Sequence, residues 1–215
     1  MQDVIAEVPD GESGRSRRAV VATAAGGALA ALLAACGSSS DPQTADAGAS
    51  DADAPIRGHD LEVVNFALLL EYIEVDFYDE VVDGGRLSGR AAEAAKEIRD
   101  NEHAHVDALE GLARQIGSKQ RVERPQTHFP LAGGPNAVLR LAARIEQLGA
   151  AAYLGQLDTI ENRGVLAAAV SIHSIEARHS ATLNRLLGWE FTPEGATASP
   201  RNMGEVLDAA ERYIV

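Results

Sequence analysis

From residue 60 onward, apolar side chains recur at alternating steps of three and four positions. That spacing keeps them on one face of a helix. One such stripe runs Ala95, Ile98, Leu109, Leu112, and a second runs Val165, Ala169, Ile172, Leu183, Leu186. Turn and cap residues separate the periodic stretches. Asp60 is expected to cap a first helix that Asp83-Gly84-Gly85 ends. Ser88 opens a second helix and Gly117 closes it. Pro135 suits the first turn of a third, where its missing N–H costs little. Residues 161–164 (Glu-Asn-Arg-Gly) mark the start of a fourth. Between the second and third, residues 118–134 carry Pro125, Pro130 and a Gly-Gly pair, as expected of a long crossover. A short amphipathic piece from Met203 to Tyr213 follows the irregular stretch through Pro193 and Pro200, and is expected to pack outside the bundle.

Two of the stripes are interrupted in the same way. Glu102 and His105 sit inside the first, and Glu176 and His179 inside the second, where apolar residues belong. An unpaired ionised carboxylate in such a place costs several kcal/mol (~3–5 where a partner is missing), so something must compensate it. A metal ion is the natural candidate.

The preceding helices repeat as well. Residues 67–78 align without gaps on residues 142–153, pairing Glu71 with Glu146 and Tyr78 with Tyr153 at an offset of 75. The Glu-x-x-His steps pair at an offset of 74. A helix bearing Glu followed by one bearing Glu-x-x-His therefore occurs twice, which implies two helical hairpins related by a pseudo-twofold. Glu74 stands opposite Gly149 in this alignment, so Glu71 is the better inward-facing carboxylate and Glu74 either a group beside the ligands or one at the rim.

The set Glu71, Glu102–His105, Glu146, Glu176–His179 resembles the ligand pattern of the ferritin-like superfamily of di-iron and di-manganese carboxylate proteins. In these, two helices give one Glu each and two give a Glu-x-x-His. Residues 70–78 (Leu-Glu-Tyr-Ile-Glu-Val-Asp-Phe-Tyr) resemble the first helix of exported bacterial ferritin-like domain proteins. The resemblance spans residues 60–187. It implies an all-α, ferritin-like four-helix bundle with a long crossover between helices 2 and 3 and a short C-terminal helix. It further implies two divalent metal ions held by Glu71, Glu102, His105, Glu146, Glu176 and His179, with iron foremost and manganese as the alternative. Tyr78, Tyr153, Glu74 and His173 are expected beside the ligands rather than among them. Four carboxylates balance two divalent cations in charge, and hard oxygen donors with two imidazoles favour iron or manganese over a thiolate-seeking metal.

Ahead of this region, residues 16–21 (Ser-Arg-Arg-Ala-Val-Val) resemble a twin-arginine export motif without the usual Phe. An Ala- and Gly-rich apolar run then leads to Leu33-Ala34-Ala35-Cys36-Gly37, which resembles a bacterial lipobox. The resemblance makes residues 1–36 an export signal, with the chain's one cysteine, Cys36, lipidated and the protein anchored at the cell envelope. Residues 37–59, poor in apolar side chains, read as a disordered tether. The remaining divisions are a bundle over 60–190 and a C-terminal extension over 191–215.

A formal net charge of −13 argues against nucleic acid and against polybasic attachment to anionic lipid as partners. The ligand set points to a protein handling iron, dioxygen or peroxide in stress defence, as a di-iron oxidase or peroxidase. The contrasting reading is a non-catalytic metal-binding or stress-associated structural protein. Repeated turnover would need an external electron donor, because no cysteine cluster is present to supply electrons internally.

Overall fold

The computed structural model describes residues 58–115 and 121–215. The export motif, the lipobox with Cys36, nearly all of the tether and the helix end read at Gly117 lie outside the described residues. The described residues form four long helices: α1 (His59–Asp83), α2 (Gly89–Gln115), α3 (Pro135–Leu154) and α4 (Arg163–Leu186). A short α5 (Met203–Ala210) runs into a single 3-10 turn, Glu211–Tyr213. Among the described residues there is no strand beyond one isolated bridge between Thr127 and Ile214. The fold is an all-α, ferritin-like helical bundle, and no described helix is long and apolar enough to cross a membrane.

The pairing of helices follows the repeat. α1 packs most extensively on α2 and α3 on α4, while thinner α1–α3 and α2–α4 seams close the four-helix square. α1 is buried on nearly all sides, from Val63 and Val64 through Phe77, Tyr78 and Val81. The crossover and the C-terminal segment cover the side its helix neighbours leave free. Phe129 of the crossover meets Phe77 edge-on at 5.3 Å, and Tyr213 stacks beyond Phe129 at 5.7 Å. Backbone hydrogen bonds fix that arrangement: the His128 N–H donates to the Tyr213 carbonyl and the Val215 N–H to that of Gln126, each at 2.9 Å. Burying an apolar side chain of this size contributes about 1.5–3 kcal/mol, so the cover stabilises α1 as well as enclosing it.

The helix ends differ from expectation at one point. Asp60 does not cap α1, which begins at His59 behind Gly58. Its buried carboxylate instead accepts the backbone N–H groups of Glu161 and Asn162, at 2.9 and 2.7 Å, just ahead of α4. The unpaired N–H groups at the approach to α4 need acceptors more than the solvated start of α1 does. Asn162 caps α4 itself, accepting from Gly164 and Val165. Pro135 occupies the first turn of α3, and Asn202 with Glu205 forms a capping box on α5.

Candidate metal centre

Where the four helices face one another, the interior turns polar. Glu71, Glu102, Glu146 and Glu176 are each 0 % exposed, and His105 and His179 are buried beside them. Their donor atoms form two overlapping groups that could each hold a metal ion: Glu71, Glu102, His105, Glu176 and Glu102, Glu146, Glu176, His179. Within a group the donors lie within 4.8 Å of one another. Glu102 and Glu176 belong to both groups, whereas Glu71 and Glu146 belong to one each. This division reproduces the sequence repeat, with each Glu-x-x-His helix giving a shared carboxylate and an imidazole.

The imidazoles point the same ring atom inward. His105 Nδ1 faces Glu102 at 2.8 Å, Glu176 at 3.2 Å and Glu71 at 3.3 Å. His179 Nδ1 faces Glu102 at 2.9 Å and Glu146 at 3.2 Å. A ring N–H can satisfy one acceptor well, yet several carboxylates converge on each. Accordingly, Glu71 Oε2, Glu102 Oε1, Glu146 Oε1 and both oxygens of Glu176 are buried with no hydrogen-bond partner. Buried native polar atoms are nearly always paired, so orphaned carboxylate oxygens at one place fit a cation rather than a closed hydrogen-bond network.

The electrostatics agree. Burial, then the charges of Glu102 and Glu146, raise the Glu176 carboxyl well above its ordinary value. Glu102 is raised by burial and Glu146 against opposing hydrogen bonds from His105 and His179. Burial disfavours the charged form of both histidines, but the carboxylates outweigh it: His105 is strongly raised, and His179 is pushed up to about 10. Without a cation the cluster gathers protons to limit its own repulsion.

Around this set the structure places residues with unequal duties. The Tyr153 hydroxyl donates to Glu71 Oε1 at 2.6 Å, from the opposite half of the repeat. Tyr78, its repeat counterpart, is buried near Glu146, but its hydroxyl lacks hydrogen-bonding geometry to any partner. Burial first, then the neighbouring carboxylates, raise both phenols well above their usual values. His173 does not reach the cluster. Three residues before Glu176 is still about 60° off its direction, and the ring turns to the α3–α4 seam, where Nδ1 lies 3.1 Å from the Ala150 carbonyl. His103 is exposed and pairs with Asp79.

Two residues escaped the sequence reading. Asn101 lies 3.0 Å from His179 Nε2, the ring atom turned away from the carboxylates. Its repeat counterpart is Ile175, so nothing in the duplication could have singled it out. Gly149 was visible only as an odd partner for Glu74. A Cβ there would stand 2.5 Å from Glu74 Oε1 and 3.0 Å from Glu176 Oε2. The two positions meet across the α1–α3 seam, which has room for one side chain. Glu74 takes it, 2 % exposed, with Oε2 unpartnered.

This fold and this cluster define a class. The chain belongs to the ferritin-like domain family, whose pattern covers residues 59–189. Among solved structures it is similar to a hypothetical protein from Methanococcus jannaschii, at 16% identity and a TM-score of 0.52. That match covers 80% of this chain and 98% of the other, and it carries the fold alone. No curated protein matches the chain.

Proposed function

We propose that the six side chains hold two divalent cations, iron foremost and manganese as the alternative, in a dinuclear centre that handles iron, dioxygen or peroxide. The observation that carries this reading is the convergence of unpartnered carboxylate oxygens and inward-turned imidazole nitrogens in two overlapping groups. Glu102 and Glu176 would be shared between the cations, Glu71 and His105 would serve one, and Glu146 and His179 the other. Such a pair, when bound, supplies reversible two-electron chemistry at an oxygen species.

The remaining work falls to the chain. With His179 Nδ1 given to a cation, Nε2 carries the ring proton and needs an acceptor. Asn101 provides its amide oxygen, since the two amide ends exchange by a flip. Tyr153 holds Glu71 through its hydroxyl and so fixes which carboxylate oxygen remains free. The apolar residues of α1 and α3 exclude bulk water, which strengthens every charge interaction at the cluster. The proposal extends to the cell: Cys36 carries the lipid, residues 37–59 tether the bundle at the envelope, and an external donor returns electrons. The lipobox-like Leu33-Ala34-Ala35-Cys36 supports the anchor, and the single cysteine supports the external donor.

The test is metal analysis and an optical spectrum of aerobically purified protein, followed by ferrous-oxidation and peroxide-consumption assays. A Glu102→Ala/Glu176→Ala variant serves as control. Two metals per chain with turnover in the parent alone are expected. Two metals without turnover would reduce the reading to metal binding, and no metal in either protein would leave a structural bundle.

A further inference from the structure

A small cavity lies in the α1–α3 seam directly against Glu74. Leu70, Ile73, Ile145 and Leu148 form its walls, and Ala210 and Tyr213 of the C-terminal segment also line it. Its volume is about 10 Å³, room for about one water. Glu74 lines it too, with Oε2 buried and unpartnered, and Glu74 Oε1 shares with Glu176 the space that Gly149 leaves open. Glu74 is in neither group of metal-competent donors. It therefore stands between the cavity and a carboxylate common to both groups.

We propose that this seam is the inlet for cations, that Glu74 is the carboxylate that relays them to Glu176, and that Tyr213 is its stopper. The inference rests on reading the cluster as a metal centre. Glu74 Oε2, unpartnered beside a narrow apolar cavity, offers an arriving cation a ligand in place of a shed water, and low-dielectric walls strengthen that contact. A passing cation exchanges water for the Glu74 oxygen and then for Glu176. Gly149 keeps the step open, since any side chain there would occupy the transfer point. The stopper is held by its ring packing on Phe129 and by the backbone hydrogen bonds at His128 and Val215, through which the segment from Glu211 to Val215 reaches the crossover. Breaking those contacts together lifts Tyr213 and uncovers part of α1, while the extensive α1–α2 and α3–α4 pairings remain.

The experiment is stopped-flow uptake of cobalt(II) by the full, metal-free chain, read by ligand-field absorption, with the final stoichiometry measured separately. Glu74→Gln, which leaves the cation a neutral amide in place of an ionisable carboxyl, should slow uptake by about tenfold or more. Tyr213→Ala, which opens the passage, should speed uptake several-fold. Leu148→Trp, which narrows it at a half-buried position, should slow it. All three should still fill to two cobalt ions per chain. Rates that ignore all three changes, or a Glu74→Gln variant that loses stoichiometry at unchanged rate, would overturn the inlet while leaving the metal centre. A parent chain that binds no cobalt would remove both. Opposite signs from Tyr213→Ala and Leu148→Trp cannot arise from general destabilisation.

Discussion

Glu176→Gln should stabilise the metal-free protein and abolish its response to metal. Glu176 is fully buried, both its oxygens lack hydrogen bonds, and it belongs to both donor groups. At pH 7 a buried carboxyl either stays ionised against its neighbours or takes up a proton that the unfolded chain would not hold. One pH unit corresponds to about 1.4 kcal/mol, so from an unfolded value of about 4.3 the cost cannot exceed about 3.7 kcal/mol. One carboxylate neighbour at the 4.8 Å limit repels by about 3.5 kcal/mol at an effective dielectric of about 20, enough to approach that ceiling. The contact with His105 Nδ1 offsets part of it and survives in the amide. A net gain of about 1–3 kcal/mol remains, or about 3–10 °C in the melting temperature for a domain of this size. In the parent, manganese(II) at a hundredfold excess over its dissociation constant adds about 2.7 kcal/mol per site. Melting curves of both proteins at pH 7 and about pH 4, with and without manganese, check this. The apo advantage should shrink at the lower pH, where the carboxyl is largely protonated in both states. A variant less stable than the parent at pH 7 would mean that Glu176 is not repelled by its neighbours, and one that gains as much from manganese that it is not a ligand.

Three further outcomes follow from the same geometry. Gly149→Ala should cost about 1–3 kcal/mol by overpacking, and Glu74→Ala in the same chain should relieve most of it; a double-mutant cycle from denaturant melts measures the coupling. Asn101→Leu should weaken one of two cations by about 10–100-fold and spare the other, which an equilibrium manganese titration would resolve as unequal sites. Apoprotein stability should fall as pH rises. The raised carboxyls of Glu74, Glu102 and Glu176 keep protons that the unfolded chain releases above about 4.3, and the contribution of His179 is lost between about 6.5 and its folded value of about 10. Cation binding displaces those protons and strengthens with pH, so the gap between melting temperatures with and without manganese should widen from about pH 5 to 8. A constant gap would count against the site.

The fold was legible because its cause is local and repeated. Apolar spacing marked the helices, and Pro135 and Asn162 marked starts that the structure keeps. The six polar interruptions were legible for the same reason, since Glu102 and Glu176 break stripes that should be apolar. What sequence could not carry was anything decided across helices. Asp60 looked like a cap for its own helix, and only the packing of α1 against the approach to α4 redirects it. Asn101 precedes Glu102 off the apolar stripe of α2, and gains a partner only when His179 arrives from α4. Tyr213, far along the chain, covers a seam whose walls come from α1 and α3. Gly149 and Glu74 registered as a mismatch in an otherwise regular repeat, and its steric reason became visible once the seam was built.

The most direct measurement is an anomalous-diffraction map of crystals of the protein soaked in manganese(II). Two peaks per chain are expected, one ringed by Glu71, Glu102, His105 and Glu176 and the other by Glu102, Glu146, Glu176 and His179. A single surface peak, or none at the crossing of the four helices, would contradict a dinuclear centre there.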